Sequence, residues 1–220
     1  MDFNHILKFL KALAKNNDRA WFEKNKPKYI ESKENFDEFL GKLLIELTKF
    51  DKRLTGLNPK KLSFRIYRDV RFSKDKSPYK LNMGAGISPG GKMIQEPGYY
   101  LHIQPGNKSF VAGGMYMPDA SNLAKIRQEI DYNFKSFEKV LKSKKFKTWF
   151  GELDDFDKLK TAPKGYPKDH PQLELLKHKS FIVSHYFTDK EVQDKIFMKK
   201  VVEGCKTLKP LNDFLTEAIL

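Results

Sequence analysis

Three of the chain's six arginines, Arg65, Arg68 and Arg71, fall within seven positions of one another. They sit in the run SFRIYRDVRFSKDKSPYKL, Ser63 to Leu81. A guanidinium is costly to leave unpaired and grips planar oxyanions through a two-pronged donor fork, so this clustering points to phosphate or carboxylate recognition. If the run is extended, Arg65, Tyr67, Asp69 and Arg71 share one face, while Phe64, Ile66, Val70 and Phe72 take the other. Arg68 then lands among apolar side chains. Either the strand bulges or ends near Arg68-Asp69, or Arg68 is buried against a carboxylate; aspartate is a poor strand former, which favours the bulge. Beyond it, Ser73 to Pro78 is rich in turn formers, and Pro78 pushes Ser77 toward extended backbone. Arg65, Arg68, Arg71, Lys74, Lys76 and Lys80, with Tyr79, are the expected ligand-binding set for an oxyanion. The competing expectation is that Asp69 and Asp75 pair with these arginines and stitch the loop to the sheet.

Other segments carry reactive groups more sparsely. In PGYYLHIQ, residues 97–104, strand alternation sends Tyr99, Leu101 and Ile103 toward the core and Tyr100, His102 and Gln104 the other way. His102 is a candidate general base or phosphate donor, against the plainer expectation of a histidine hydrogen-bonded within the sheet. Tyr100 is a candidate stacking surface. Gly113-Gly114 in the next strand marks a close approach of ligand or backbone, or a bulge. The loop KGYPKDHP, residues 164–171, offers Lys164 as a further ligand-binding residue, with Asp169 and His170, against the plainer expectation of a rigid proline-bounded connection. Adjacent Asp169 and His170 are not by themselves a catalytic constellation, which needs geometry rather than sequence proximity. The segment Gly86 to Met93 has the spacing of a phosphate-binding P-loop through Lys92. Met93 lacks the hydroxyl that such a loop needs, and Pro97-Gly98 leaves no room for the helix, so a hairpin turn is expected. The five histidines lack metal-ligand spacing. No metal or cofactor is expected, and Cys205 reads as a buried thiol.

These residues need elements to hold them. Helical periodicity runs over 3–15, a short helix carries Trp21 and Phe22, and a long helix follows from Pro27 to about Phe50. The period then drops to two. Strands are expected at Leu62–Tyr67, Met83–Ile87, Gly98–Gln104 and Ser109–Met117, with connections short enough for an antiparallel meander. Helices return over about 119–143 and Lys144–Phe150, with another near 171–177. A late strand spans Ser180–Phe187. Thr188 caps a closing helix to about Thr207, and Pro210 interrupts the tail. The expected fold is α+β, a mostly antiparallel sheet of about five strands flanked by N-terminal and C-terminal helices. A single domain over 1–220 is expected, with a helical region at 1–58, a sheet core at 60–117, a second helical region at 118–150, and the loop, strand and helices of 151–220. Whether the second sheet face forms a basic groove or lies under more helices is open.

The 220 residues include 13% aromatics, enough to bury a core and to exclude wholesale disorder. One cysteine excludes an internal disulfide framework. With no secretory leader pattern and no apolar run of membrane-spanning length, a soluble cytoplasmic protein with no membrane partner is expected. Lys+Arg number 42 against 28 Asp+Glu, a formal net charge of +14. Lysine excess alone often serves solubility. Its distribution says more, since Lys60 to Lys92 holds nine basic residues against two acids. The lysine-rich stretch 135–147 reads as a solvated helix face.

Taken together, NNDRAWFEKNKPKY, RIYRDVRFSKDKSPYK, PGYYLHIQPG with FVAGGMYMP, and APKGYPKDHP with KSF resemble the family catalogued as domain of unknown function 2461, over about residues 3–218. The resemblance implies that Trp21, Arg65, Arg68, Asp69, Arg71, Lys76, Pro78, Tyr79, Lys80, His102, Gly114, Lys164, Gly165 and His170 occupy motif positions. It implies no activity and no catalytic role. The residues themselves favour binding of an anionic, phosphate-bearing small molecule or nucleic acid by segment 65–80, with Tyr79 or Tyr100 stacking on a base. An enzyme of hydrolase or transferase type, with His102 or His170 as acid/base and Asp69 as orienter, is the second expectation. A protein–protein interaction module is the third.

Overall fold

A computed structural model describes residues 2–92 and 95–220. The chain opens with α1 (Phe3–Lys15), whose apolar stripe Phe3, Ile6, Leu7, Leu10 and Leu13 is buried and whose first turn is capped by the Asp2 carboxylate. Asp18 caps the short α2 (Arg19–Lys24) in the same way. Pro27 sits in the first turn of α3 (Lys26–Thr48), which buries Phe36, Phe39, Leu40, Leu43, Leu44 and Leu47.

Three strands of the expected meander form, β1 (Met83–Ile87), β2 (Gly98–Ile103) and β3 (Ser109–Met115), and after a helical excursion the expected late strand, β4 (Phe181–Phe187), follows. They form one antiparallel sheet in the order β1-β2-β3-β4. The fold is therefore α+β. The segment 62–67, expected as a strand, joins the sheet only through isolated bridges, Ser63 opposite Ala85 and Tyr67 opposite Tyr79. It flanks β1, then turns away after Tyr67 because Arg68 and Asp69 cannot continue an apolar face.

Between β3 and β4 lie α4 (Ala120–Tyr132), α5 (Phe134–Lys142), α6 (Lys144–Phe150) and the one-turn α7 (Leu173–Leu176). After β4, a capping box between Thr188 and Glu191 starts α8 (Asp189–Gln193), which ends at once. The final helix, α9, is Phe197–Ile219. The expectation of one closing helix from Thr188 to about Thr207, with the tail interrupted at Pro210, is thus corrected. The break lies at 194–196, and α9 runs through Pro210. Its buried stripe of Val201, Cys205, Leu208, Leu211 and Leu215 packs on β3, while Pro210 points to solvent, where the freed carbonyl can be hydrated.

One face of the sheet, including Tyr99, Leu101, Ile103, Val111, Val183 and Phe187, joins the helices in a continuous core. Gly113 lets α9 come close: a Cβ there would stand 2.5 Å from Leu208 Cδ2 and 2.6 Å from the Gly98 carbonyl oxygen. Gly114 takes φ +113 against the Phe181 backbone. Of the alternatives raised for this pair, close approach of backbone and of a packed helix is the one found, not approach of a ligand. The opposite face carries Tyr100, His102 and Phe110, which are half-buried, and Tyr186, which is exposed. Among the described residues, no helix is long and apolar enough to cross a membrane.

Candidate functional site

The basic segment folds into a closed loop. Arg68 N–H donates to the Pro78 carbonyl and Lys80 N–H to the Ile66 carbonyl, so the chain leaves and re-enters at one neck beneath Tyr67 and Tyr79. Arg68 resolves the conflict between its charge and its apolar neighbours by organising the loop interior. Its guanidinium pairs with Asp75 and donates to the Ser77 carbonyl at 3.1 Å and to Ser73 Oγ at 3.3 Å. Asp75 is held down to about 2 by hydrogen bonds from the Ser77 hydroxyl and backbone N–H and by Arg68. Arg71 forms a fork on Asp69, with Nη2 at 2.7 Å from Oδ2, and lowers the pKa of that carboxyl. Lys76 Nζ donates to the Val70 carbonyl at 3.0 Å. The stitching expected of Asp69 and Asp75 is real, but it stays local to the loop. Lys74 is exposed and without an ion pair among the described residues.

Two expectations for aromatic residues are corrected here. Tyr79 is stacked on Phe22, with ring centroids 3.9 Å apart and planes at 14°, and is only 3% exposed, so its burial leaves no face for a base. Asn17 secures it by receiving a hydrogen bond from Tyr79 N–H and donating to the Tyr79 carbonyl. Phe72, expected on the apolar side, is 95% exposed at the loop tip with Arg71 5.7 Å over its ring. Alternation stops at Tyr67, so the periodicity no longer sets direction. Between the loop and α2 lies a cleft of about 290 Å³, lined by Arg19, Glu23, Tyr67, Arg68, Pro78 and Tyr79. The first two sequence motifs therefore share a concavity.

The uncancelled charge lies at the loop's neck. Arg65 is exposed and, among the described residues, has no carboxylate at ion-pair distance; nor do Lys80 and Lys92. Lys80 and Lys92 each place their ammonium 5.5 Å from the centre of the Phe64 ring, and Lys92 also donates to the Ser63 carbonyl at 2.6 Å. The pKa of Lys80 is lowered by partial burial, then by Arg65 and then by Lys92. Lys92 comes from the turn that mimics a P-loop, where Gly91 N–H donates to the Ser88 carbonyl at 2.8 Å as in an ordinary turn. The neighbouring Met93, on which that comparison turned, lies outside the described residues.

Next to Phe64 is Tyr100, at 6.3 Å between ring centroids. The Tyr100 ring lies across the sheet over Gly84, where a Cβ would meet its hydroxyl at 2.5 Å. The hydroxyl is 3.2 Å from His102 Nδ1, which also receives the Asn82 amide at 3.3 Å; Nε2 is 2.8 Å from Gln104 Oε1. An amide NH₂ can only donate and an amide oxygen can only accept, so His102 carries its proton on Nε2 and accepts at Nδ1. Burial lowers its pKa, opposed by the Gln104 bond. Both nitrogens are occupied, and among the described residues no carboxylate orients the ring. Asp69, the expected orienter, is committed to Arg71.

His170 is likewise engaged, with Nε2 3.0 Å from Asp131 Oδ1 and Nδ1 receiving Gln172 N–H. It anchors the 162–171 loop, including exposed Lys164, to α4 rather than to the basic loop. Among the described residues, no group of three or more His, Cys, Asp or Glu side chains could hold a metal ion.

The profile of the conserved hypothetical protein family DUF2461 matches residues 5–214, nearly the whole chain. The chain belongs to this family. Comparison with curated proteins and with solved structures gives no match. Within this DUF2461 chain, sequence reasoning overlooked Lys92, Phe64, Phe110 and Tyr186. Lys92 was hidden by a false motif. Alternation puts Phe64 on the apolar face and gives no reason to expect ammonium groups above its ring. Phe110 and Tyr186 were findable, since strand register places Phe110 opposite His102 and Tyr186 opposite Phe110.

Proposed function

We propose that this protein binds a phosphate-bearing ligand, a nucleotide or a nucleic acid, at the neck of the basic loop, through Arg65, Lys80 and Lys92. The observation that carries this reading is the gathering of two ammonium groups over Phe64, with the Arg65 charge felt by Lys80, and no carboxylate in ion-pair contact with any of the three among the described residues. Like charges brought together repel one another, and partial burial of Lys80 adds to the cost. A bound anion offsets both. Arg68 and Arg71, expected as ligand donors, act first as loop architecture and leave the neck cations free. The net charge of +14 would steer any polyanion toward the surface.

Thermal shift and fluorescence anisotropy with ATP, inorganic tripolyphosphate and a labelled oligonucleotide test the reading. A ligand at about 100 times its Kd adds about 2.7 kcal/mol to apparent stability. Oligonucleotide affinity should fall steeply with salt. Arg65→Ala with Lys80→Ala should weaken every phosphate-bearing probe, with circular dichroism unchanged. Absence of binding at low salt by all three probes, or binding that ignores ionic strength, overturns it.

A further inference from the structure

The sheet face opposite α9 carries an aromatic row from one edge to the other. Phe64 lies beside β1, Tyr100 and His102 on β2, Phe110 on β3 and Tyr186 on β4. Ring centroids step 6.3 Å from Phe64 to Tyr100, 5.7 Å from Tyr100 to Phe110 and 5.2 Å from Phe110 to Tyr186. His102 lies nearly parallel on Phe110, with centroids 4.6 Å apart and planes at 14°, and Gln104 fixes its edge. Small residues separate the rings: Gly84 faces Tyr100, and Ala112 stands between Tyr100 and Ser184 in the register. Phe64, Tyr100, His102 and Phe110 are half-buried and Tyr186 is 62% exposed. The row ends in charge, since Lys80 and Lys92 flank Phe64 and Arg65 adjoins it.

We infer that this face is a single-stranded nucleic-acid platform: phosphates sit at Arg65, Lys80 and Lys92, and unpaired bases stack along Phe64, Tyr100, Phe110 and Tyr186. The inference rests on the neck cluster being a phosphate site and adds which polyanion it serves. Stacking on a flat protein surface needs bases that are not already stacked inside a duplex. A lone nucleotide has one base and would cover a ring or two, whereas this row crosses all four strands. A polyanion complements both the cationic end and the positive net charge.

Competition binding with four probes tests it: an oligothymidylate of about ten nucleotides, an abasic strand of equal charge, the matching duplex, and tripolyphosphate. The oligothymidylate should bind on the order of tenfold tighter than the abasic strand, and tighter than the duplex. Tyr186→Ala, at an exposed position, and Phe110→Leu, which keeps an apolar side chain should alanine unfold the sheet, should each collapse the thymidylate-to-abasic ratio toward unity. Equal affinity for base-bearing and abasic strands, equal affinity for the duplex, or a ratio unmoved by both substitutions overturns the platform. Tripolyphosphate binding that is lost in Arg65→Ala/Lys80→Ala would leave the phosphate site standing in that case. Failure of every probe removes both.

Discussion

Arg68 and Arg71 are neighbours with different work to do. Arg68 is three-quarters buried and bonds three segments of its loop; Arg71 is exposed and meets one exposed carboxylate. Surface pairs of the second kind contribute little, because solvent screens them and side-chain ordering opposes them. Arg68→Ala should therefore speed protease nicking between residues 69 and 76 and raise amide exchange there, whereas Arg71→Ala should leave both near wild type. Equal effects from the two substitutions would show that Arg68 does not organise the loop. The sequence showed the problem, a guanidinium among apolar positions. It offered Asp75 as a partner but not the choice of arginine or the bonds to Ser73 and Ser77, which reach Arg68 only once the loop closes at its neck.

Strand positions were legible wherever a period of two persisted against a buried face, as in β2 and β3. They failed in 62–67, where Leu62 and Ile66 are buried as alternation requires but the segment meets β1 only through an isolated bridge before turning away. α9 shows the opposite error, with local proline chemistry overestimated against tertiary burial. A helix-interior proline costs about 3 kcal/mol, and its restriction of the unfolded chain returns about 0.4–1 kcal/mol. Pro210→Ala is accordingly expected to raise stability by about 2 kcal/mol, seen in urea as a higher midpoint at unchanged slope. An unchanged midpoint would mean that Pro210 sits in the helix without penalty. Gly113→Ala should cost at least about 1–3 kcal/mol in the same assay, because Leu208 and the Gly98 carbonyl leave no room for a methyl group.

Across the whole molecule, two histidines, half-buried His102 and buried His178, tie stability to pH. Burial depresses the pKa of both His102 and His178 below 6.5. The unfolded chain then binds more protons than the folded one just below that value. Their contribution is complete above pH 6.5 and is lost as pH falls through the folded values. Asp75 and Glu191, both held down to about 2, lose their contribution only below about pH 4. Urea midpoints should therefore already decline between pH 7 and 5, and His102→Gln should flatten that decline. A wild-type profile that is level to pH 5 would contradict the depressed values. Burial likewise raises the Cys205 thiol, so thiol reagents should modify it only on unfolding.

The amino-acid sequence by itself determined the α+β class, the positions of β1, β2 and β3, the family membership and the excess of positive charge. Each is written in short-range periodicity, composition or contiguous motif, which need no knowledge of distant neighbours. Only the tertiary structure decided which cations are cancelled, that Tyr79 is lost to Phe22, and that Lys92 meets Lys80 over Phe64. These outcomes depend on chain segments meeting across a loop neck or a sheet. Pairing and burial act through distance in space, and adjacency in sequence encodes neither.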